Sequence, residues 1–497
     1  MITDENIRII FGLKIRMLRQ QKSMSLAELS KNTDISVSYL NEIEKGKKYP
    51  KTNKIASLAK ALGTSYDWLV SLKLEKKLRP LAQILESNIL KELPLEVFGI
   101  EPRDLIELVL DAPDKLNAFI KTLLEISRNY DLTVENFYSS VLRSYLELKE
   151  NYFEELEEAA EKFKAEFLPD TPLTIESLSD FLAKNFNYEI DYEKITEFQS
   201  LNEIRSVLRV EADKKILYIN PKLSEPQILF ILSREAGYNY LGLSPRSYAY
   251  SWVKVDNFDE LLNNYKATYF ADAMLIPRKK LIIDLEEFFA LTEWKPDAFV
   301  HLMEKYHQSP QMFYARLVSI LPRFFGINKL FFLRLYNTPH TNHFKLTKEI
   351  HLAGLHNPHG TDLNEHYCRR WVSLTVFKEL EELQVQKAYK RPVCDAQISK
   401  YIDSDNQYFC ISIARPLHPT QNTNCSLTIG IAINEEFKKK VKFWNDKAID
   451  AKEVNETCER CSAFDCKERA AVPSKYEEER ANANMQRDID LLLQKED

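Results

Sequence analysis

Three of the chain's seven cysteines fall inside nine residues near its end, Cys458, Cys461 and Cys466 in CERCSAFDC. Thiolates two residues apart can straddle one edge of a metal, a third arrives after a short loop, and a fourth must come from elsewhere. The candidates for the fourth are Cys368, Cys394, Cys410 and Cys425. Cys410 and Cys425 lie in alternating apolar stretches read as strands, where a small buried cysteine is ordinary core. Cys368 precedes Arg369 and Arg370, whose charge favours a thiolate. Four thiolates suit either a structural zinc or an iron-sulfur cluster, and residue types alone do not separate the two. Free thiols are the plainer reading, and the clustering argues against it. A second concentration, His340, His343, His351, His356, His359 and His366, holds six of the nine histidines. It admits a mixed Cys/His site, although loop histidines are more commonly solvated.

The elements that must position these groups follow from length and charge. At 497 residues the chain exceeds one ordinary core, and ten glycines favour helices with short connections over an all-β design. No apolar run approaches 18 residues and the start, MITDENIRII, carries acids where a leader needs bases. A soluble, cytoplasmic protein without a membrane partner is expected, and in a reducing compartment clustered cysteines more often bind metal than form disulfides. The net charge of −6 is uneven: residues 1–80 hold 16 Lys and Arg against 8 Asp and Glu, leaving 52 against 66 for the rest. One end is built to meet a polyanion.

In that basic end Ser25 and Glu28 spell a capping box ahead of LAELSKN, Asp34 suits a left-handed turn, Ser36 caps VSYLNEIEKG, and Gly46 closes it. Two short helices joined by a tight turn, with Leu26, Leu29, Ile35, Leu40 and Ile43 inward, predict a helix-turn-helix. A further helix in TNKIASLAKALG adds Ile55, Leu58, Ala59 and Leu62 to the same core. Residues 8–70 resemble the Cro/C1-type helix-turn-helix family, in which the second helix enters the major groove. The resemblance implies that Ser36, Ser38, Tyr39 and Asn41 face base edges of a double-stranded DNA operator and Lys45, Lys47 and Lys48 face phosphates. A palindrome needs two copies, so a homodimer is expected.

Residues 73–167 read as a helical linker, with one long amphipathic helix over VLRSYLELKENYFEELEEAAEKFKAEF and an apolar stripe of Leu142, Tyr145, Leu146, Phe153 and Leu156. The order that follows, NYEIDY, a hairpin in SVLRVEADKKILYIN turning at Asp213 to Lys215, and the helix SEPQILFILSREAGYNYLGL, resembles the small zincin domain of the antitoxin-cleaving and radiation-response regulators. That site needs two histidines four apart with a glutamate between, and here the matching positions are Arg234, Glu235 and Tyr238, with Lys266 in place of the third ligand. Arginine and lysine do not ligate zinc at neutral pH, so the domain is expected to be catalytically dead rather than an active peptidase. Arg234 and Lys266 then pair with Glu235 and acids such as Asp272, or bind an anion.

In the last third, NKLFFLRLYN, DAQISKYI, QYFCISIARPL and CSLTIGIAI alternate as strands, with helices over TDLNEHYCRRWVSLTVFKELEEL and NEEFKKKVKFW. A zincin-like domain, then EHYCRRW, then ETCERCSAFDCKERAAVP resembles the short-chain fatty acyl transcriptional regulators across nearly the whole chain. The resemblance implies a 4Fe-4S cluster on Cys458, Cys461, Cys466 and Cys368, and an acyl-CoA effector in the central region. Many relatives have a cysteine after the glycine of the last strand, where this chain has Ile431 after Gly430. The expectation is a multidomain chain, mainly α with α+β parts: a helix-turn-helix over 1–72, the helical linker over 73–167, a degenerate zincin-like domain over 168–325, and a C-terminal mixed α/β sensor-like domain over 326–497.

Overall fold

Local signals in the basic end act as read. The Ser25 hydroxyl accepts from the Glu28 N–H at 3.2 Å while the Glu28 carboxylate takes the Ser25 N–H at 2.6 Å, and Asp34 ends the helix with φ at 56°. The computed structural model describes residues 4–71, 134–169, 172–211, 214–249, 257–352, 365–402, 404–420 and 422–493. The linker reading for 73–133 lies outside them. The chain divides into two compact units, Met1–Val141 with Asp256–Asp259, and Leu142–Val255 with Glu260–Asp497.

The first unit contains α1 (Asp4–Gln21), α2 (Leu26–Thr33), α3 (Val37–Glu44), α4 (Thr52–Leu62) and α5 (Tyr66–Val70). Phe11, Ile15, Leu29, Ile35, Leu40, Ile43, Ile55, Leu58 and Leu62 form its core. Gly12 of α1 lies directly on the end of α3, where an added Cβ would stand 2.2 Å from the Ile43 carbonyl oxygen. Arg19 grips Glu44 with two hydrogen bonds, Nε to Oε1 at 2.7 Å and Nη2 to Oε2 at 2.8 Å. Buried Lys14 donates to the Trp68 carbonyl at 2.7 Å and the Ser71 hydroxyl at 3.1 Å, closing the end of α5, and burial pulls its pKa down to about 8. These contacts make α1 the brace that fixes α3.

Helix α6 (Val134–Leu148) begins in the first unit and runs into the second, where it leads to α7 (Glu154–Phe167) and α8 (Ile175–Phe186). The single long helix expected over this stretch is broken. Glu150 and Asn151 adopt left-handed φ of 51° and 52°, and the Asn151 amide is held by the Tyr265 hydroxyl at 2.6 Å and by Ser319 at 3.1 Å. A buried side chain with two distant partners outweighs the local helical periodicity. Leu146, Phe153 and Leu156 enter the main core, with Leu142 and Tyr145 packed against it.

Strands β1 (Tyr188–Asp191), β2 (Ser206–Glu211) and β3 (Lys214–Ile219) form a small sheet in the order β1-β3-β2. Then come α9 (Glu225–Tyr240), α10 (Phe258–Leu275), α11 (Arg278–Phe289), α12 (Pro296–Glu304) and α13 (Pro310–Phe325). The large sheet takes β4 (Leu330–Asn337), β5 (Phe344–Leu352), β6 (Val393–Tyr401), β7 (Gln407–Pro416), β8 (Asn424–Ala432) and β9 (Asp450–Val454) in the order β5-β4-β8-β7-β6-β9. Helix α14 (Val372–Val385) covers one face, and α15 (Glu435–Lys440) and α16 (Ser474–Leu493) follow.

One buried cluster runs from Leu146 through Phe270 and Leu317 to Ile449, so a single core crosses the sequence positions 167 and 325 where boundaries are expected. At its centre Arg316 and Glu157, each about 1% exposed, make a bidentate pair at 2.6 and 3.1 Å, and the Tyr269 hydroxyl donates to Glu157 at 2.8 Å. Helix α14 starts at Val372, later than the reading from 361, because Tyr367 is engaged in a bridge to Thr457. Among the described residues no helix is long and apolar enough to cross a membrane.

Candidate nucleic-acid interface and cysteine cluster

Leu40 and Ile43 anchor α3 in the core, which leaves Ser36, Val37, Ser38, Asn41 and Lys45 exposed on its outer face and Lys47 and Lys48 exposed just beyond it. The Ser36 hydroxyl accepts from the Tyr39 N–H at 3.3 Å, so this residue is committed to starting the helix. Tyr39 is half-buried, with its hydroxyl 3.5 Å from the Tyr49 carbonyl and the Lys54 ammonium 4.4 Å above its ring. Ser38, Asn41 and the three lysines thus stand as expected on an open surface, whereas Ser36 and Tyr39 have structural partners as well.

The two cysteine segments are brought side by side by backbone pairing. Tyr367 bridges Thr457, the Cys368 N–H donates to the Glu456 carbonyl at 3.1 Å, and the Cys458 N–H donates to the His366 carbonyl at 2.8 Å. Cys368, Cys458 and Cys461 are buried and Cys466 half-buried. Burial pushes the Cys368 thiol up to about 11, and nearby Cys458 and Cys461 add to the rise. This corrects the expectation that Arg369 and Arg370 would favour a thiolate there. Arg369 turns over the Phe344 ring at 4.6 Å and donates to the Asn342 carbonyl, while Arg370 reaches the Glu453 carbonyl.

Arg469 gathers the terminal loop, donating to the carbonyls of Cys458 at 2.6 Å, Cys461 at 3.0 Å and Ala463 at 2.6 Å. The Ala470 N–H donates to the Cys458 sulfur at 3.3 Å. The loop also roots α16, through the Tyr476 N–H on the Glu459 carbonyl at 2.9 Å and the Phe464 and Tyr476 rings 5.7 Å apart; no residue of α16 is buried. The donor chemistry and the N–H group aimed at sulfur suit a thiolate-bound metal. The side chains as placed do not close a ligand shell: among the described residues no group of three or more His, Cys, Asp or Glu is set to hold a metal ion. Cys394, Cys410 and Cys425 lie in β6, β7 and β8, and Cys410 shares a buried cluster with Cys368. Of the histidines, His340 and His343 are exposed, His356 and His359 lie outside the described residues, and His366 Nδ1 stands 2.8 Å from the Glu459 carboxylate.

On α9, the Glu235 carboxylate already accepts from Arg246 at 2.8 and 2.7 Å and from the Tyr188 hydroxyl at 2.9 Å, with Arg234 at 3.6 Å. Arg246 also stacks on the Tyr238 ring at 4.0 Å. The pairing expected of Arg234 is therefore carried mainly by Arg246, which sits in the loop after α9 where no periodicity marks it. Lys266 is half-buried on α10. Asp272 is buried, and burial pushes its carboxyl up to about 7 against the pull of Arg316 and Lys348.

The helix-turn-helix family profile matches residues 15–69. Over 59 residues the chain is 39% identical to control protein C.BamHI of Bacillus amyloliquefaciens, a stretch that is 12% of this chain and 73% of that protein. The chain belongs to the helix-turn-helix family. Two solved structures are also similar: a Mycobacterium tuberculosis transcriptional regulator, 16% identical with a TM-score of 0.45 over 66% of this chain and 92% of that one, and the apo competence regulator ComR of Streptococcus vestibularis, 17% identical with a TM-score of 0.13 over 61% and 85%. Through its helix-turn-helix the chain is a DNA-binding regulator. The sequence reading of that domain missed two positions, exposed Val37 at the start of α3 and half-buried Lys54 above Tyr39. Spacing did not mark Val37, which stands three residues before Leu40, the interval of neighbours on one helix face.

Proposed function

We propose that the chain is a sequence-specific transcriptional regulator that reads a double-stranded operator with α3, as a homodimer, and that its second unit senses the controlling signal. The observation that carries the reading is the exposed polar face of α3, flanked by Lys45, Lys47 and Lys48 and braced from behind by α1. On a site selected from random duplexes, Asn41→Ala should cost about 1–3 kcal/mol and relax preference at one position. Lys47→Ala should weaken binding to every sequence and reduce the salt slope by about 1. Equal losses for both variants on selected and random DNA would remove the proposed orientation of α3.

For the signal, the resemblance to short-chain fatty acyl regulators supports an acyl-CoA effector, and a row of cations on the large sheet agrees with an anionic ligand. Tyr336, Cys425 and Arg415 lie opposite one another on β4, β8 and β7, and Arg334 and Lys348 lie opposite on β4 and β5, one residue pair along the same face. A thiolate-bound iron-sulfur cluster, or a structural zinc, is the second element of the reading, held by Cys368, Cys458, Cys461 and Cys466. What supports it is the convergence of the two cysteine segments and the N–H donor on the Cys458 sulfur. Iron, acid-labile sulfide and zinc should be measured on protein purified without oxygen, for the native chain and Cys461→Ser. Iron with sulfide, lost in the variant, supports a cluster, zinc alone supports a structural ion, and neither metal in the native chain removes this element. The proposal takes the zincin-like part as non-catalytic, because Glu235 is occupied by Arg246 and Tyr188.

A further inference from the structure

We propose that Val37 reads the 5-methyl group of a thymine beside the base read by Asn41. Val37 is the first residue of α3 and is 45% exposed, whereas the other apolar residues of that helix, Leu40 and Ile43, are fully buried. Among the described residues, Val37 is neither in the core cluster of the first unit nor packed against it. Ser36 already supplies the cap, and a β-branched residue is a poor helix former. Four residues on, and so on the same helix face, stands exposed Asn41. The major groove shows an apolar group at one base, the thymine methyl, and an asparagine amide matches the N6 and N7 pair of adenine. A valine and an asparagine side by side at the start of a groove-entering helix therefore read a step that contains both bases, and Val37 supplies the discrimination that hydrogen bonds cannot.

The inference rests on α3 being the recognition helix, and the test separates the two. The full-length chain selects duplexes from a random pool, and each thymine of the selected site is then replaced singly by deoxyuridine, which differs only in lacking the methyl. At one thymine per half-site native binding should weaken about fourfold, the effect of one buried methyl-sized group. Val37→Ala, which loses the contact in both half-sites, should bind the thymine site about sixteenfold more weakly than the native chain, about fourfold for each half-site, should be indifferent to the uracil replacement, and should keep the native melting temperature because the side chain is exposed. Native binding unchanged at every uracil, or a Val37→Ala variant as sensitive to uracil as the native chain, overturns the assignment. Failure to select any site overturns the DNA reading itself.

Discussion

Gly12→Ala is expected to abolish specific DNA binding and to destabilise the first unit by about 3 kcal/mol, the upper end for overpacking a close contact. The added methyl meets the Ile43 carbonyl oxygen at 2.2 Å and the Glu44 carbonyl oxygen at 3.0 Å, both backbone atoms with no side chain to swing aside. Relief requires α3 to move off α1. That movement also pulls Glu44 from the two hydrogen bonds of Arg19 and loosens Leu40 and Ile43 in the core. The outward face of α3 would keep its chemistry and lose its position. Hydrogen exchange of the α3 amides together with binding to the selected site checks this, and a variant that protects and binds like the native chain would show that the close approach is not there.

The second large effect is in the buried pair. Glu157→Ala leaves the Arg316 guanidinium, about 1% exposed, without its carboxylate partner and, among the described residues, with the Ile276 carbonyl at 3.1 Å from its Nε as its remaining hydrogen-bond acceptor, and the expected cost to the second unit is about 3–5 kcal/mol. Tyr269 loses its acceptor in the same change. Replacing both members, Glu157→Leu with Arg316→Met, should restore most of that loss, since a buried ion pair holds little net stability over a well-packed apolar pair. Urea unfolding of the single and double variants measures both numbers. A single variant within about 1 kcal/mol of native would contradict the burial of the charge.

The first unit was legible because its signals are local: Ser25 with Glu28, Asp34, Ser36 and Gly46 act on backbone groups a few residues away. The same reading failed at Asn151, whose reasons to break a helix, Tyr265 and Ser319, lie 114 and 168 residues off. Strand β5 was hidden because Lys345, Lys348 and Glu349 stand among histidines and made the stretch read as loop, although β4 pairs with it along its length. At the cysteines, the family resemblance, not residue type, pointed to Cys368 as the companion of the terminal motif. The means by which the two segments meet, a bridge from Tyr367 to Thr457 and the backbone hydrogen bonds of Cys368 with Glu456 and of Cys458 with His366, leaves no mark in spacing. Arg246 escaped for the same reason, as a loop residue whose partner Glu235 is defined only in three dimensions.

Helix α16 turns the cysteine loop into a pivot. Its 20 residues extend about 30 Å, its root is tied to the loop at Glu459 and Phe464, and none of its residues is buried against the rest of the chain. A rigid rod of that length converts a 10° rotation at the root into a sweep of about 5 Å at the tip, close to one helical turn. Rearrangement on the scale of a single side chain beside Cys458 would thus be magnified to the scale of a whole contact at Leu492 and Leu493.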